Sequence, residues 1–308
     1  MEKYPRTQSE FEQQFASEDA CRDYVASIRW GNGFRCPGCG GSDAWQSCRN
    51  LWVCRACQRQ TSVMAGTIFQ GTHKELRLWF RAMWWVCCQK NGVSALGIQR
   101  AFGLGSYETA WTWMHKLRRA MVRPGRDRLS GTVEIDETYV GGPEAGMPGR
   151  KTEKKAIVVV AAEKNGKGIG RIRLRRIPDV SADSLLPFVE AAVAPGSTID
   201  TDGWSGYNNL ASKGYTHNVT NIKRSGQLAH ELMPRVHRVA ALLKRWLLGT
   251  HQGGVQNYQL DYYLDEFTFR FNRRTSRSRG QLFYRLTQQA VQVDPAPYNA
   301  LITLRQSP

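Results

Sequence analysis

Two Cys-x-x-Cys knuckles, Cys36 with Cys39 and Cys54 with Cys57, constrain this chain more than any other feature. Each knuckle offers two thiolates on a tight turn, and two knuckles close a tetrahedral Zn²⁺ site. The gap from Cys39 to Cys54 is slightly shorter than the usual window, yet "AWQSCRNLWVC" can bridge it as a hairpin. Structural zinc is the favoured reading, with a redox dithiol or plain buried cysteines as competitors. All eight cysteines lie at or before Cys88, which suits thiols kept reduced in a cytoplasmic protein better than a disulfide scaffold. Cys48 breaks no spacing and reads as a spare thiol, whereas Cys21, Cys87 and Cys88 fall in helical patterns as small core residues.

Charge narrows the partner. Lys and Arg total 43 against 26 Asp and Glu, a formal net charge of +17. Such an excess calls for a polyanion, either nucleic acid or an anionic membrane surface. The longest apolar run, at 156–162, is far short of the ~20 residues that span a bilayer. The N-terminus has no apolar core of the kind that directs export, so a cytoplasmic location without membrane contact is expected. Arg49, Arg55 and Arg59 interleave with Trp45 and Trp52, which suits a ribbon lying along phosphates. The tryptophans serve equally well as cover for a small metal-stapled core.

Periodicity gives a multidomain α+β organisation. An N-terminal helical segment (1–33) precedes the zinc ribbon (34–62), and residues 73–123 are strongly helical. "VSALGIQRAFGLGSYETAWTWMHKLRRAM" has the lengths of a helix-turn-helix. Its second helix is expected to turn Tyr107, Thr109, Thr112, His115 and Lys116 outward in some combination, with Arg118 and Arg119 at its end. The alternative is a helical hairpin that only packs. A polar linker at 123–131 then leads into an α/β domain (130–290), with a C-terminal tail at 291–308. That domain opens with three strand-like runs, "TVEIDETYVGG", "KAIVVVAAEK" and "IGRIRLRRI". A helix, "SADSLLPFVEAAV", and a strand, "GSTIDTDG", follow, then helices around 235–248 and 258–272. Stretches 141–155 and 221–234 are expected to be mobile loops.

The acids of "VEIDETYVGG" are out of place in a core strand. Glu134 and Asp136 share one face, and Ile135 and Glu137 the other. A second pair, Asp200 and Asp202, ends the strand in "STIDTDGWSGY". Two such strand ends can converge on a metal, and two carboxylates holding Mg²⁺ are the usual equipment for phosphoryl transfer. Loop capping or pairing with the many arginines is the plain alternative.

"IDETYVGG", "TDGWSGY" and "VHRVAALLKRWLLGTHQGG…YYLDEFTFRFNRR" together resemble bacterial insertion-sequence transposases of the DDE class, in the group with an N-terminal zinc ribbon. The resemblance covers nearly the whole chain. It implies a ribonuclease-H-like catalytic domain and cleavage and strand transfer of double-stranded DNA, at element ends and target. It also implies Mg²⁺ or Mn²⁺ beside the structural Zn²⁺, and at least a dimer on DNA. The family's two aspartates fall on Asp136 and Asp202, with Glu137 as a companion acid. An acidic or amide residue stands seven positions before a Lys in the family, and here that position is His237, before Lys244. Imidazole suits Mn²⁺ better than Mg²⁺. Glu266 is the rival third carboxylate. Lys244 would take a phosphate, and Arg270, Arg273 and Arg274 would line the DNA path. A nuclease on the same fold and a catalytically decayed DNA-binding regulator are the alternative functions.

Overall fold

The computed structural model describes residues 4–123, 125–142, 154–220 and 226–303. Most of the first expected mobile loop (143–153) and the start of the second (221–225) lie outside the described residues. The chain divides into two compact units, Met1–Arg123 with Ser276–Ser307, and Pro124–Thr275.

The first unit begins with helices α1 (Gln8–Gln14) and α2 (Glu18–Arg29). The Thr7 and Ser17 hydroxyls accept from the N–H groups of Glu10 and Ala20, so each helix starts behind a side-chain cap. Strands β1 (Ala44–Gln46), β2 (Trp52–Cys54) and β3 (Gln60–Thr61) form an antiparallel ribbon in that order. Helices α3 (Leu76–Cys88), α4 (Ala95–Phe102) and α5 (Tyr107–Ala120) follow. Ser94 caps α4 and Ser106 caps α5, and Gly103 turns the chain between them at φ 60°.

The second unit is built on a five-stranded sheet in the order β6-β5-β4-β7-β8. Its strands are β4 (Thr132–Val140), β5 (Ala156–Asn165), β6 (Gly168–Ile177), β7 (Thr198–Thr201) and β8 (Thr216–Val219). Pairing is antiparallel among β4, β5 and β6 and parallel among β4, β7 and β8, the ribonuclease-H-like arrangement. One face is covered by α6 (Ala182–Ala192), whose Leu185, Phe188 and Val189 pack with Val133, Ile135, Val159 and Ile199. The other is covered by α7 (Pro234–His251) and α8 (Leu260–Asn272), which bury Val236, Val239, Leu243, Leu264 and Phe267 with Val158, Val160 and Leu174. Cover on both faces explains why β5 reads as an unbroken apolar run rather than an alternating one. Each of these side chains contributes about 1.5–3 kcal/mol on burial.

Two further helices, α9 (Arg279–Ala290) and α10 (Tyr298–Thr303), return to the first unit. This corrects the expected extent of the α/β domain to residue 290. Phe283 is fully buried among Phe11, Phe15, Phe80 and Trp84, with ring centroids 5.4–5.9 Å away. The expected C-terminal tail likewise contains a helix, with Leu301 fully buried. Among the described residues, no helix is long and apolar enough to cross a membrane.

Candidate active site and thiolate cluster

The two knuckles meet at the base of the ribbon. Cys36 Sγ lies 3.5 Å from Cys57 Sγ and Cys39 Sγ 3.6 Å from Cys54 Sγ, and all four sulfurs lie within 4.8 Å of one another. Four thiolates at Zn–S ≈ 2.3 Å stand about 3.8 Å apart, so the donor set fits Zn²⁺. Backbone N–H groups of Cys39 and Gly38 directed at Cys36 hold its thiol well below the ordinary range, at about 6. Phe34, Trp30 and Trp52 pack behind the cluster, with Trp52 stacked on Phe34 at 5.7 Å, whereas Trp45 stands 46% exposed. One tryptophan therefore builds the small core and the other offers surface.

In the second unit, the parallel register of β4 and β7 pairs Thr132 with Thr198 and Glu134 with Asp200. The ladder ends there and β7 ends at Thr201, so Asp202 follows directly after β7, beside the strand that carries Asp136. The chain can turn sharply after Asp202 because Gly203 adopts φ +82°, and a side chain there would press into Val219. Asp202 Oδ1 accepts from the N–H of Trp204 (3.0 Å), and Asp136 Oδ1 from the N–H of Glu137 (2.9 Å).

His237 lies in the first turn of α7. Its Nε2 is 3.7 Å from Asp136 Oδ2, is buried and makes no hydrogen bond among the described residues. Burial, followed by the charge on His230, lowers the His237 pKa, and the charges of Glu134 and Asp202 oppose that shift. The imidazole is therefore neutral at pH 7, with a ring lone pair available to a cation. Neighbouring donors on an octahedral cation with bonds of about 2.1 Å stand roughly 3 Å apart, so Asp136 and His237 would have to close by about 0.7 Å to share one. Among the described residues, only the four thiols gather as tightly as a closed metal cage; the two aspartates and His237 are set more openly.

The neighbouring acids have other partners. Glu134, 1% exposed, accepts from the backbone N–H groups of Arg235 (2.8 Å) and Val236 (3.1 Å) and from Arg235 Nη1 (2.8 Å). Glu137, on the opposite face, accepts from the hydroxyl of fully buried Tyr207. Burial, then Glu137, Asp136 and Asp202, push the Tyr207 pKa well above its ordinary value, so the phenol stays protonated. Asp200 accepts from Lys164 Nζ at 2.6 Å and Asn218 Nδ2 at 3.1 Å. Glu266, the rival third carboxylate, is fully buried on α8 and accepts from Arg270 Nε at 2.9 Å. Arg235 and Tyr207 were not singled out by the sequence, although Tyr207 stands inside "TDGWSGY"; Glu134 was read only as sharing a face with Asp136.

Comparison with known families agrees with this two-part layout. Residues 128–272 match the ISXO2-like transposase domain, and residues 16–60 match the transposase zinc-ribbon domain. Over residues 128–272 the chain is similar to ISXO2-like transposases. A curated relative is the uncharacterized protein in transposable element ISH50 of the archaeon Halobacterium salinarum, 32% identical over 144 residues. That match takes in 46% of this chain and 47% of the relative, so the chain spans about half the length of the relative it matches. The likeness thus extends beyond the bacterial elements that the sequence motifs suggest.

Several expected DNA contacts are not displayed. His115 (0%), Lys116 (8%) and Arg118 (1%) are buried in α5, correcting their expected outward placement. Trp111 stacks on His115 at 3.9 Å, and α9 and α10 pack against the helix. Tyr107 stays exposed at the N-terminal end of α5, and Arg119 is half-buried. Arg49 and Arg55 are exposed on the ribbon, with Arg55 Nε 3.3 Å from Asp43. Arg270 serves Glu266, Arg273 stacks over Phe269 at 4.1 Å, and Arg274 donates to backbone carbonyls of Phe271, Gly170 and Ile169. These three arginines hold α8 and the β6 edge. Lys244 is exposed two turns beyond His237, its pKa lowered by partial burial and by Lys155.

Proposed function

We propose that this chain is a metal-dependent transposase that binds the ends of its insertion sequence, cleaves DNA there and joins the freed end to a target. The observation that carries the reading is the approach of the His237 imidazole to Asp136, on the strand beside the one that Asp202 follows, within the matched transposase domain. Asp136, Asp202 and His237 would hold Mg²⁺ or Mn²⁺, with imidazole favouring Mn²⁺. When bound, such ions stabilise the attacking and leaving oxygens of phosphoryl transfer. The chain's own residues position the DNA: Lys244 takes a phosphate as a point charge, and Arg49 and Arg55 bring the ribbon against the backbone. Zn²⁺ on Cys36, Cys39, Cys54 and Cys57 is structural. Joining two element ends calls for a dimer or higher assembly on DNA.

The test is cleavage and joining of DNA carrying the element's own ends, in Mg²⁺ and in Mn²⁺, for the wild type and Asp136→Asn. Joined product that disappears in Asp136→Asn while end binding persists is the expected result. Cleavage without joined product would make the chain a nuclease, and tight binding with no cleavage in either ion would make it a regulator.

A further inference from the structure

We propose that Glu134 and Arg235 form a clamp that positions His237 against Asp136, which makes Glu134 a positioning residue rather than a third strand ligand. The proposal rests on the reading of Asp136, Asp202 and His237 as the cation-holding set.

The first turn of α7 lacks a side-chain cap of its own. Pro234 occupies its first position and has no N–H, and the preceding residue, Met233, offers no capping hydrogen bond. Glu134 supplies the missing acceptor from a strand about a hundred residues earlier in the sequence. Its Oε2 receives the N–H groups of Arg235 and Val236, and its Oε1 receives Arg235 Nη1. A carboxylate at this end also meets the favourable end of the helix dipole. Both oxygens face donors, which offsets the loss of water around a carboxylate that is 1% exposed. The same arrangement leaves Glu134 engaged with the helix instead of a cation.

Arg235 extends the clamp. Its Nε and Nη2 donate to the carbonyls of Gly168 (3.0 Å) and Gly166 (2.8 Å), at the turn between β5 and β6. The start of α7 is thereby tied to β4 and to the neighbouring hairpin. From this ion pair, two residues along the strand lead to Asp136 on the same face, and two residues along the helix lead to His237. These two short paths end on the His237 Nε2–Asp136 Oδ2 approach of 3.7 Å. A shift in the first helical turn would move the imidazole directly, and ligand placement tolerates only about 0.5 Å.

A buried ion pair that only stabilised the unit would weaken folding without a specific link to His237. The two roles separate in a double-mutant cycle on the full-length zinc-loaded protein, comparing Glu134→Gln, His237→Ala and the double variant. Mn²⁺ binding is read from the free-ion electron paramagnetic resonance signal, alongside strand cleavage, circular dichroism and zinc content. Glu134→Gln is expected to weaken Mn²⁺ binding about tenfold with unchanged circular dichroism, as loss of an orienting partner does. The double variant is expected to bind no more weakly than His237→Ala. Wild-type affinity in Glu134→Gln, or additive losses in the double variant, overturns the clamp. Wild-type affinity in His237→Ala instead overturns the cation reading itself. If Glu134→Gln does not fold, Arg235→Lys keeps the charge and loses the fork, with the same non-additivity expected and additive losses again overturning the clamp.

Discussion

Replacing Tyr207 by Phe removes one hydroxyl from the fully buried ring and leaves its packing against the α6 side of the sheet intact. What is lost is the bond that the hydroxyl donates to Glu137 Oε1. A hydrogen bond to a charged group contributes roughly 1.5–3 kcal/mol. Glu137 is only half-buried and can recruit water, so the lower part of that range applies, about 1.5–2 kcal/mol. In a unit of about 150 residues this corresponds to a fall in Tm of roughly 3–8 °C at pH 7. The pH dependence carries the sharper signature. Burial and Glu137 raise the folded-state pKa of Tyr207 above the ordinary value of 10.0. Between that value and the folded pKa, the folded state holds a proton that the unfolded state has released. The corresponding stability is therefore complete below pH 10 and is lost as pH rises above it. Phe cannot ionise, so the variant starts lower at pH 7 but declines less steeply above pH 10, and the two stability curves approach each other. Tyr215, also raised by burial, contributes the same alkaline loss to both proteins. Calorimetric scans from neutral to strongly alkaline pH measure both effects. Equal Tm values at pH 7, or parallel alkaline limbs, would refute the buried Tyr207–Glu137 bond.

Cys54→Ala removes one of four thiolates and should release zinc and weaken end binding; metal content unchanged from the wild type would rule out the four-thiolate site. Arg49→Ala and Arg55→Ala should each weaken DNA binding across sequences and reduce the slope of log K against log salt by about 1, read by fluorescence anisotropy at several salt concentrations. Arg118→Ala should behave oppositely, lowering Tm while leaving that slope at its wild-type value, because the guanidinium is 1% exposed inside the helical unit. An unchanged Tm with a reduced slope would restore the DNA-contacting role that its burial argues against.

Local patterns were the legible part of this chain. The knuckle spacing identified the thiolates that gather within 4.8 Å, and β-branched runs located strands β4, β5 and β6. Caps and periodicity located α2, α4 and α5. What could not be read were properties set by distant segments. The sequence of α5 fits a surface helix, but α9 and α10, more than 150 residues later, pack against it, and Lys116 and Arg118 are buried. Likewise, nothing local to "RGQLFYRLTQQA" says that Phe283 completes an aromatic core with Phe11 and Phe15.

Strand β4 shows the same limit within four residues. Alternation correctly separates Glu134 and Asp136 from Glu137, since the first two meet α7 and the third meets Tyr207. Alternation cannot say what each acid meets, because that depends on which distant segment brings a donor to it. Glu134 takes two backbone N–H groups and a guanidinium, Glu137 takes a phenol, and Asp136 has an imidazole nitrogen 3.7 Å away. Three acids within four residues are thus divided among the start of α7, the 3₁₀ turn that carries Tyr207, and the His237 imidazole. That division explains how a core strand carries so much charge. Two of its three carboxylates hold neighbouring elements, Glu134 the start of α7 and Glu137 the Tyr207 hydroxyl, and Asp136 is the one that the His237 imidazole approaches.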